Sequence, residues 1–104
     1  VIADLSIFPV GGIRVRAYPA RHYAVADQHP ENAFADMTFR IAAGRSAAQK
    51  TETGKALMAA AEKHFAAQLQ SPHFALSLEI VDIGPEFSWK TNSIHPRLQA
   101  QSKP

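Results

Sequence analysis

The sequence predicts one small α+β domain over residues 1–104, organised around a strand–helix–strand unit. Three segments alternate apolar and polar side chains with a period of two, which is typical of half-buried β-strands. Between the second and third segments lies a stretch whose apolar residues recur every fourth position, which indicates an amphipathic helix. Apolar residues make up 46% of the chain and charged residues 19%, a composition typical of a folded globular protein.

The first predicted strand covers residues 13–18. Its alternation places Arg14 and Arg16 on the same face of the strand. The mixed sequence of residues 21–31 has no clear period and predicts a connecting loop.

The second predicted strand covers residues 33–41 and is followed by the helix. Ser46 is a favourable N-cap, and Gln49 three residues later completes the pattern of a capping box. Pro72 is expected to end the helix. The core-facing stripe of the helix consists of Leu57, Met58, Ala61, Phe65 and Leu69.

The third predicted strand covers residues 75–83. Strand, helix and strand in this order predict a parallel pair joined by a right-handed crossover. The tail from residue 86 carries several apolar residues, so we expect it to pack on the domain or on a neighbouring subunit. Three strands and one helix leave a sheet face poorly covered, and an upstream segment or a partner chain is expected to cover it.

Composition and charge exclude several classes of protein. The chain has no cysteine, which excludes disulfides and thiolate metal sites. No apolar stretch approaches the roughly 20 residues of a membrane-spanning helix, and no signal sequence is recognisable, so we expect no membrane partner and a cytoplasmic location. The net charge is only +2 and the basic residues are scattered, which argues against a nucleic-acid partner.

Most common site motifs are also absent from the sequence. The five histidines include no pair at an i, i+4 spacing on the helix, so we expect no bound metal. No serine stands in a Gly-x-Ser-x-Gly context, and the glycines form no phosphate-binding loop. These absences argue against hydrolase, nucleotide-binding and metal chemistry, and they identify no catalytic side chain in this chain.

The arginines are the best candidates for a substrate site. Arg45 directly precedes the Ser46 cap, where free backbone N–H groups and the helix dipole favour an anion. A guanidinium at that point can hold a carboxylate through two parallel hydrogen bonds. Arg14 and Arg16 offer a second cationic group, so the set suits a small substrate with two carboxylates. The alternative is that each arginine is solvated or in a surface ion pair, which the pattern alone favours, most clearly for Arg16.

Four segments follow one another along the chain: IFPVGGIRVR at 7–16, MTFRIAAGRS at 37–46, KHFAA at 63–67 and ALSLEI at 75–80. Together they resemble the 5-carboxymethyl-2-hydroxymuconate isomerase family of the tautomerase superfamily, and the similarity continues into residues 92–95. The resemblance implies tautomerase-like βαβ units with a mixed sheet, helices packed on one face, and assembly as a homotrimer with active sites near subunit interfaces.

The resemblance also implies an activity. Members are cofactor-independent isomerases that move a proton through a dienol in a small unsaturated polycarboxylic oxo-acid, in the homoprotocatechuate branch of aromatic catabolism. Their general base is an amino-terminal proline whose amine is held neutral. Arginines bind the carboxylates and polarise the carbonyl, and the matching residues here are Arg14 and Arg45.

The sequence departs from the family pattern at its start. Position 1 is Val1, and the nitrogen of Pro9 is an amide that cannot act as a base. The first strand and first helix of the family are expected to be missing from this chain. We expect an upstream segment to supply them, and the alternative is a truly truncated protein. For the function, the alternatives are a catalytically inactive tautomerase-fold trimer that binds small acids or a protein, and a purely structural oligomer.

Overall fold

The computed structural model describes residues 1–102, so residues 103–104 of the predicted domain lie outside the described part. Two strands and three helices follow one another along the chain. They are β1 (Ala33–Ala42), α1 (Ala47–His64), α2 (Ala66–Gln70), β2 (Phe74–Ile83) and α3 (Ile94–Ser102). This arrangement confirms the α+β class and the strand–helix–strand unit.

The two strands form a parallel sheet. Ten residue pairs run in register from Ala33 opposite Phe74 to Ala42 opposite Ile83. The backbone N–H of Ala33 also donates to the carbonyl of His73 (2.8 Å), which extends the ladder by one bond before β2 begins. The predicted parallel pair is therefore confirmed, with each strand within one residue of its predicted bounds.

One face of the sheet is covered and the other is exposed. Along β1 the alternation of half-buried and exposed residues ends at Ile41, which is 5% exposed. Helix α1 lies on the covered face, because a Cβ added at Gly54 would stand 3.5 Å from the Ile80 side chain. Asp36 and Glu79 lie on the exposed face, as their places in the alternation predict.

The start of α1 forms as its sequence predicts. The Ser46 hydroxyl accepts from the Gln49 backbone N–H (3.1 Å), and the Gln49 side chain accepts from the Ser46 N–H (3.0 Å). Such a cap contributes about 1 kcal/mol. The Lys50 ammonium, 2.8 Å from the Asp82 carboxylate, joins the first turn to the end of β2. Both side chains are partly exposed, so this pair adds under about 1 kcal/mol.

The helical region differs from the prediction in three ways, the first being that Leu69 of the predicted core-facing stripe is 39% exposed. Thr53 is fully buried and donates its hydroxyl to the Gln49 carbonyl (2.7 Å), although the predicted stripe did not include it. The predicted single helix is divided at Phe65, whose backbone leaves the helical region (φ −98°, ψ 22°). The Phe65 ring lies 5.1 Å from the ring of Phe74, so the break coincides with packing against the start of β2.

The prediction of a strand over residues 13–18 is wrong for the single chain that the structure describes. Residues 13–20 have no regular secondary structure, and Val15 and Tyr18 are each 82% exposed. A strand is stabilised by pairing its backbone with a neighbour. Within the part of the chain that the structure describes, the backbone of residues 14–20 makes no hydrogen bond to another segment.

The two ends of the described chain pack together. Single 3₁₀ turns form at Ala3–Leu5 and Val10–Gly12, and α3 lies against the second turn. The Asn92 amide donates to the Gly11 carbonyl (2.9 Å). The expectation that the tail packs on the domain is thus confirmed for α3, whereas Phe87 and Trp89 remain 76% and 83% exposed.

The chain alone is extended and leaves much of its surface accessible. Its radius of gyration is 17.1 Å, compared with about 13 Å expected for a compact domain of this length. Its accessible surface is 8451 Å², compared with about 5,700 Å² for a compact monomer of this mass. Among the described residues, no helix is both long and apolar enough to cross a membrane.

Candidate functional site

Arg45 lies in the turn between β1 and α1, at the carboxyl end of the sheet. Gly44 precedes it with φ +111°, a conformation that L side chains rarely adopt. Glycine therefore allows the chain to leave β1 and enter the Ser46 cap within a few residues. As a result, Arg45 stands directly before the amino terminus of α1, as the sequence predicts.

The amino-terminal segment contacts Arg45 through Phe8. The guanidinium carbon of Arg45 lies 4.9 Å from the centroid of the Phe8 ring, within cation–π range. Phe8 in turn packs edge-on against Phe39 of β1, with ring centroids 5.2 Å apart. The arginine is half-buried, and within residues 1–102 its N–H groups donate to no protein acceptor. A guanidinium that is fixed by an aromatic face and keeps its donors free can bind a carboxylate with two hydrogen bonds.

The structure does not bring the three predicted arginines together. Arg14 and Arg16 lie in the exposed segment after the second 3₁₀ turn. Neither forms a hydrogen bond, ion pair or ring contact within the described part of the chain. Their role in substrate binding therefore stays a prediction.

A shallow depression of about 470 Å³ opens beside the carboxyl end of β2. Among the described residues that line it, Arg40 is the one basic residue and Glu86 the one acidic residue. None of the three predicted arginines lines it, so it is separate from the surface that Arg45 presents.

A polar cluster that the sequence did not predict lies at the opposite end of the sheet. It joins His29 and Glu31, just before β1, to His73, just before β2. Nearby, the Asn32 amide donates to the Asp27 carboxylate (2.7 Å). That bond, with a second from the His29 backbone N–H, lowers the pKa of Asp27 below its ordinary value. The parallel pairing of β1 and β2, which brings their starts together, was the only signal in the sequence that could have located this cluster.

Comparison with known proteins gives consistent matches over most of the chain. The sequence model of the 5-carboxymethyl-2-hydroxymuconate isomerase family matches residues 1–98. The chain is 36% identical over 94 residues to the 5-carboxymethyl-2-hydroxymuconate Delta-isomerase of Escherichia coli, covering 90% of this chain and 75% of that protein. It is 46% identical to a 5-carboxymethyl-2-hydroxymuconate isomerase from Deinococcus radiodurans R1 whose crystal structure superposes with a TM-score of 0.88, covering 93% of this chain and 73% of that one.

Proposed function

This chain belongs to the 5-carboxymethyl-2-hydroxymuconate isomerase family, and on that premise we propose that it isomerises 5-carboxymethyl-2-hydroxymuconate or a close analogue. The observation that supports a substrate-binding role for this chain's own residues is the placement of Arg45. It is half-buried, fixed against Phe8 and placed at the amino terminus of α1 with its donors free. This is the arrangement that an anionic, carboxylate-rich substrate requires.

The proposed reaction is a 1,3-shift of a proton through a dienol intermediate. Removing a proton beside the carbonyl puts negative charge on the carbonyl oxygen, and a fixed guanidinium stabilises that charge as it develops. We assign this role, or the binding of the adjacent carboxylate, to Arg45. Arg14, with Arg16 beside it, is assigned to the substrate's other carboxylate.

The proton-accepting group is the second requirement. The resemblance implies an amino-terminal proline amine, which is not among the residues of this sequence. Pro9 does not replace it, because its nitrogen belongs to an amide. The residues of this chain are therefore assigned substrate binding and charge stabilisation, and the assay uses the protein with its native amino terminus.

We also propose that the protein is a homotrimer. The accessible surface exceeds that of a compact monomer by roughly 2,700 Å² per chain, an amount that falls within the range buried by obligate interfaces. Large apolar side chains, including Val15, Tyr18 and Trp89, contribute to that exposed surface. Sedimentation equilibrium at micromolar concentration is expected to give about three times the mass of one chain. A mass equal to one chain would contradict the trimer.

The activity is tested by following the ultraviolet absorbance of the conjugated substrate with purified protein and no added cofactor. A saturable change that scales with enzyme concentration supports the isomerase. Binding of the substrate without turnover, measured by calorimetry, would support a tautomerase-fold binding protein in its place. If the protein neither binds nor turns over the substrate, both proposed functions are overturned.

A further inference from the structure

A second group of reactive side chains lies at the amino-terminal end of the sheet, far from Arg45. One potential ligand atom from each of His29, Glu31 and His73 lies within 4.8 Å of the others. Arg45 follows the opposite end of the ten-residue strand β1, so about 30 Å separates the two places. The cluster is therefore independent of the proposed isomerase site.

His73 is held with one ring nitrogen directed into the cluster. The Asn32 side-chain nitrogen donates to Asp27 (2.7 Å) and to the Val25 carbonyl (3.1 Å), which leaves the Asn32 oxygen facing the Nδ1 of His73 at 2.9 Å. In the neutral ring this assigns the proton to Nδ1 and a free lone pair to Nε2. The Nε2 atom lies 3.5 Å from the Glu31 carboxylate.

A chain of hydrogen bonds of this kind commonly supports a metal-binding histidine. A histidine ligand commonly donates its second ring N–H to a carbonyl or carboxylate oxygen, which fixes its tautomer and orientation. Here Asp27 fixes Asn32, and Asn32 fixes His73. His73 is also the least exposed member of the cluster, with 23% of its side chain accessible, compared with 74% for Glu31.

His29 completes the group from the loop before β1. Its ring stacks on that of His73, with centroids 4.0 Å apart and an angle of 19° between planes. Two stacked rings do not point their lone pairs at one ion, so binding requires the exposed His29 ring to turn. Within residues 1–102, the hydrogen bond that the His29 Nδ1 accepts from the Glu31 N–H (3.1 Å) is the one bond to that ring, and it must be exchanged.

We infer that His29, Glu31 and His73 form a binding site for a divalent transition-metal ion of the zinc type, with water as the remaining ligand. Two imidazoles and a carboxylate are a ligand set that zinc favours. Tetrahedral coordination requires ligand atoms about 3.4 Å apart, so the two exposed side chains move inward by an ångström or so. A neighbouring cavity of about 250 Å³, lined by Asp27, Asn32 and His73 among others, has room for the water.

The consequence of binding is structural. Residues 29 and 31 belong to the loop before β1, whereas His73 directly precedes β2, so one ion would join the segments that lead into the two strands. The site departs from the expectation of no metal, which relied on histidines close together in sequence. His73 lies more than 40 residues after His29 and Glu31, and it meets them only because β1 and β2 are parallel neighbours.

The inference is tested by titrating zinc chloride into chelator-treated protein and following heat and melting temperature. We expect one zinc per chain and a melting temperature that rises with zinc concentration. His73→Gln and Glu31→Gln are each expected to weaken binding at least tenfold, and Asn32→Ala about 10–100-fold through loss of the His73 orientation. His22→Ala is the matched control, because this exposed histidine lies outside the cluster, and it should bind zinc as the parent does.

Three results would overturn the site. The first is no heat and no change in melting temperature up to millimolar zinc. The second is unchanged zinc affinity in both His73→Gln and Glu31→Gln, with circular dichroism showing that each variant is folded. The third is equal affinity for magnesium and zinc, because imidazole ligands do not suit magnesium and we expect magnesium chloride to give no comparable binding. All these readouts are independent of isomerase turnover.

Discussion

Replacing Arg45 with alanine is expected to lower kcat/KM for the isomerisation by about 10²–10³-fold, the usual effect of removing one donor to a developing oxyanion. The substitution removes a fixed guanidinium whose N–H groups donate to nothing else in the described chain. The fold should persist, because the lost contact with Phe8 is worth only about 0.5–1 kcal/mol. Steady-state absorbance kinetics measure the first effect, and thermal melting measures the second.

Two further variants make the result specific. Arg45→Lys keeps the charge but not the paired donors, so it should recover only part of the activity. Arg21→Ala removes an exposed arginine that lies outside the candidate site, so its kinetics should match those of the parent protein. Turnover that survives Arg45→Ala unchanged would show that Arg45 does not contact the substrate.

The position of Arg45 was predictable because its determinants are local. A serine cap, a glutamine three residues later and the glycine before Arg45 define the start of α1 within a few residues. The two parallel strands were predictable for a similar reason, since each carries its own alternation. What the sequence did not indicate was the support of Arg45 by Phe8, which comes from 37 positions earlier in the chain.

The errors share a physical cause, which is dependence on distant contacts. Residues 13–18 have the alternation of a strand, but pairing is a property of two segments, and the described chain provides no partner for this one. The helix was predicted to continue through Phe65, whereas packing of that ring on Phe74 coincides with a break. Likewise, the His29, Glu31 and His73 cluster requires the sheet register before it can be recognised.

The substitution Gly11→Ala is expected to have the second large effect, a loss of stability where the turn at residues 10–12 packs on α3. An added Cβ would lie 2.6 Å from Nδ1 and 3.1 Å from Cα of His95. The ring can swing aside, but the Cα belongs to the backbone of α3, so the helix itself must move. We expect a loss of about 1–3 kcal/mol in the free energy of unfolding. Thermal melting and proteolysis of the tail would measure it, with cleavage of residues 86–102 accelerated.

The neighbouring glycine provides the matched control. A Cβ at Gly12 would meet the His95 ring at 3.5 Å, an ordinary van der Waals distance, so Gly12→Ala should leave the stability nearly unchanged. The start of α3 is fixed independently, because Asn92 donates to the Gly11 carbonyl and accepts from the N–H of Ile94 (2.8 Å). Moving the helix away from an added methyl therefore lengthens that bond. Equal destabilisation by the two alanines would show that the close approach at Gly11 is not what anchors the tail.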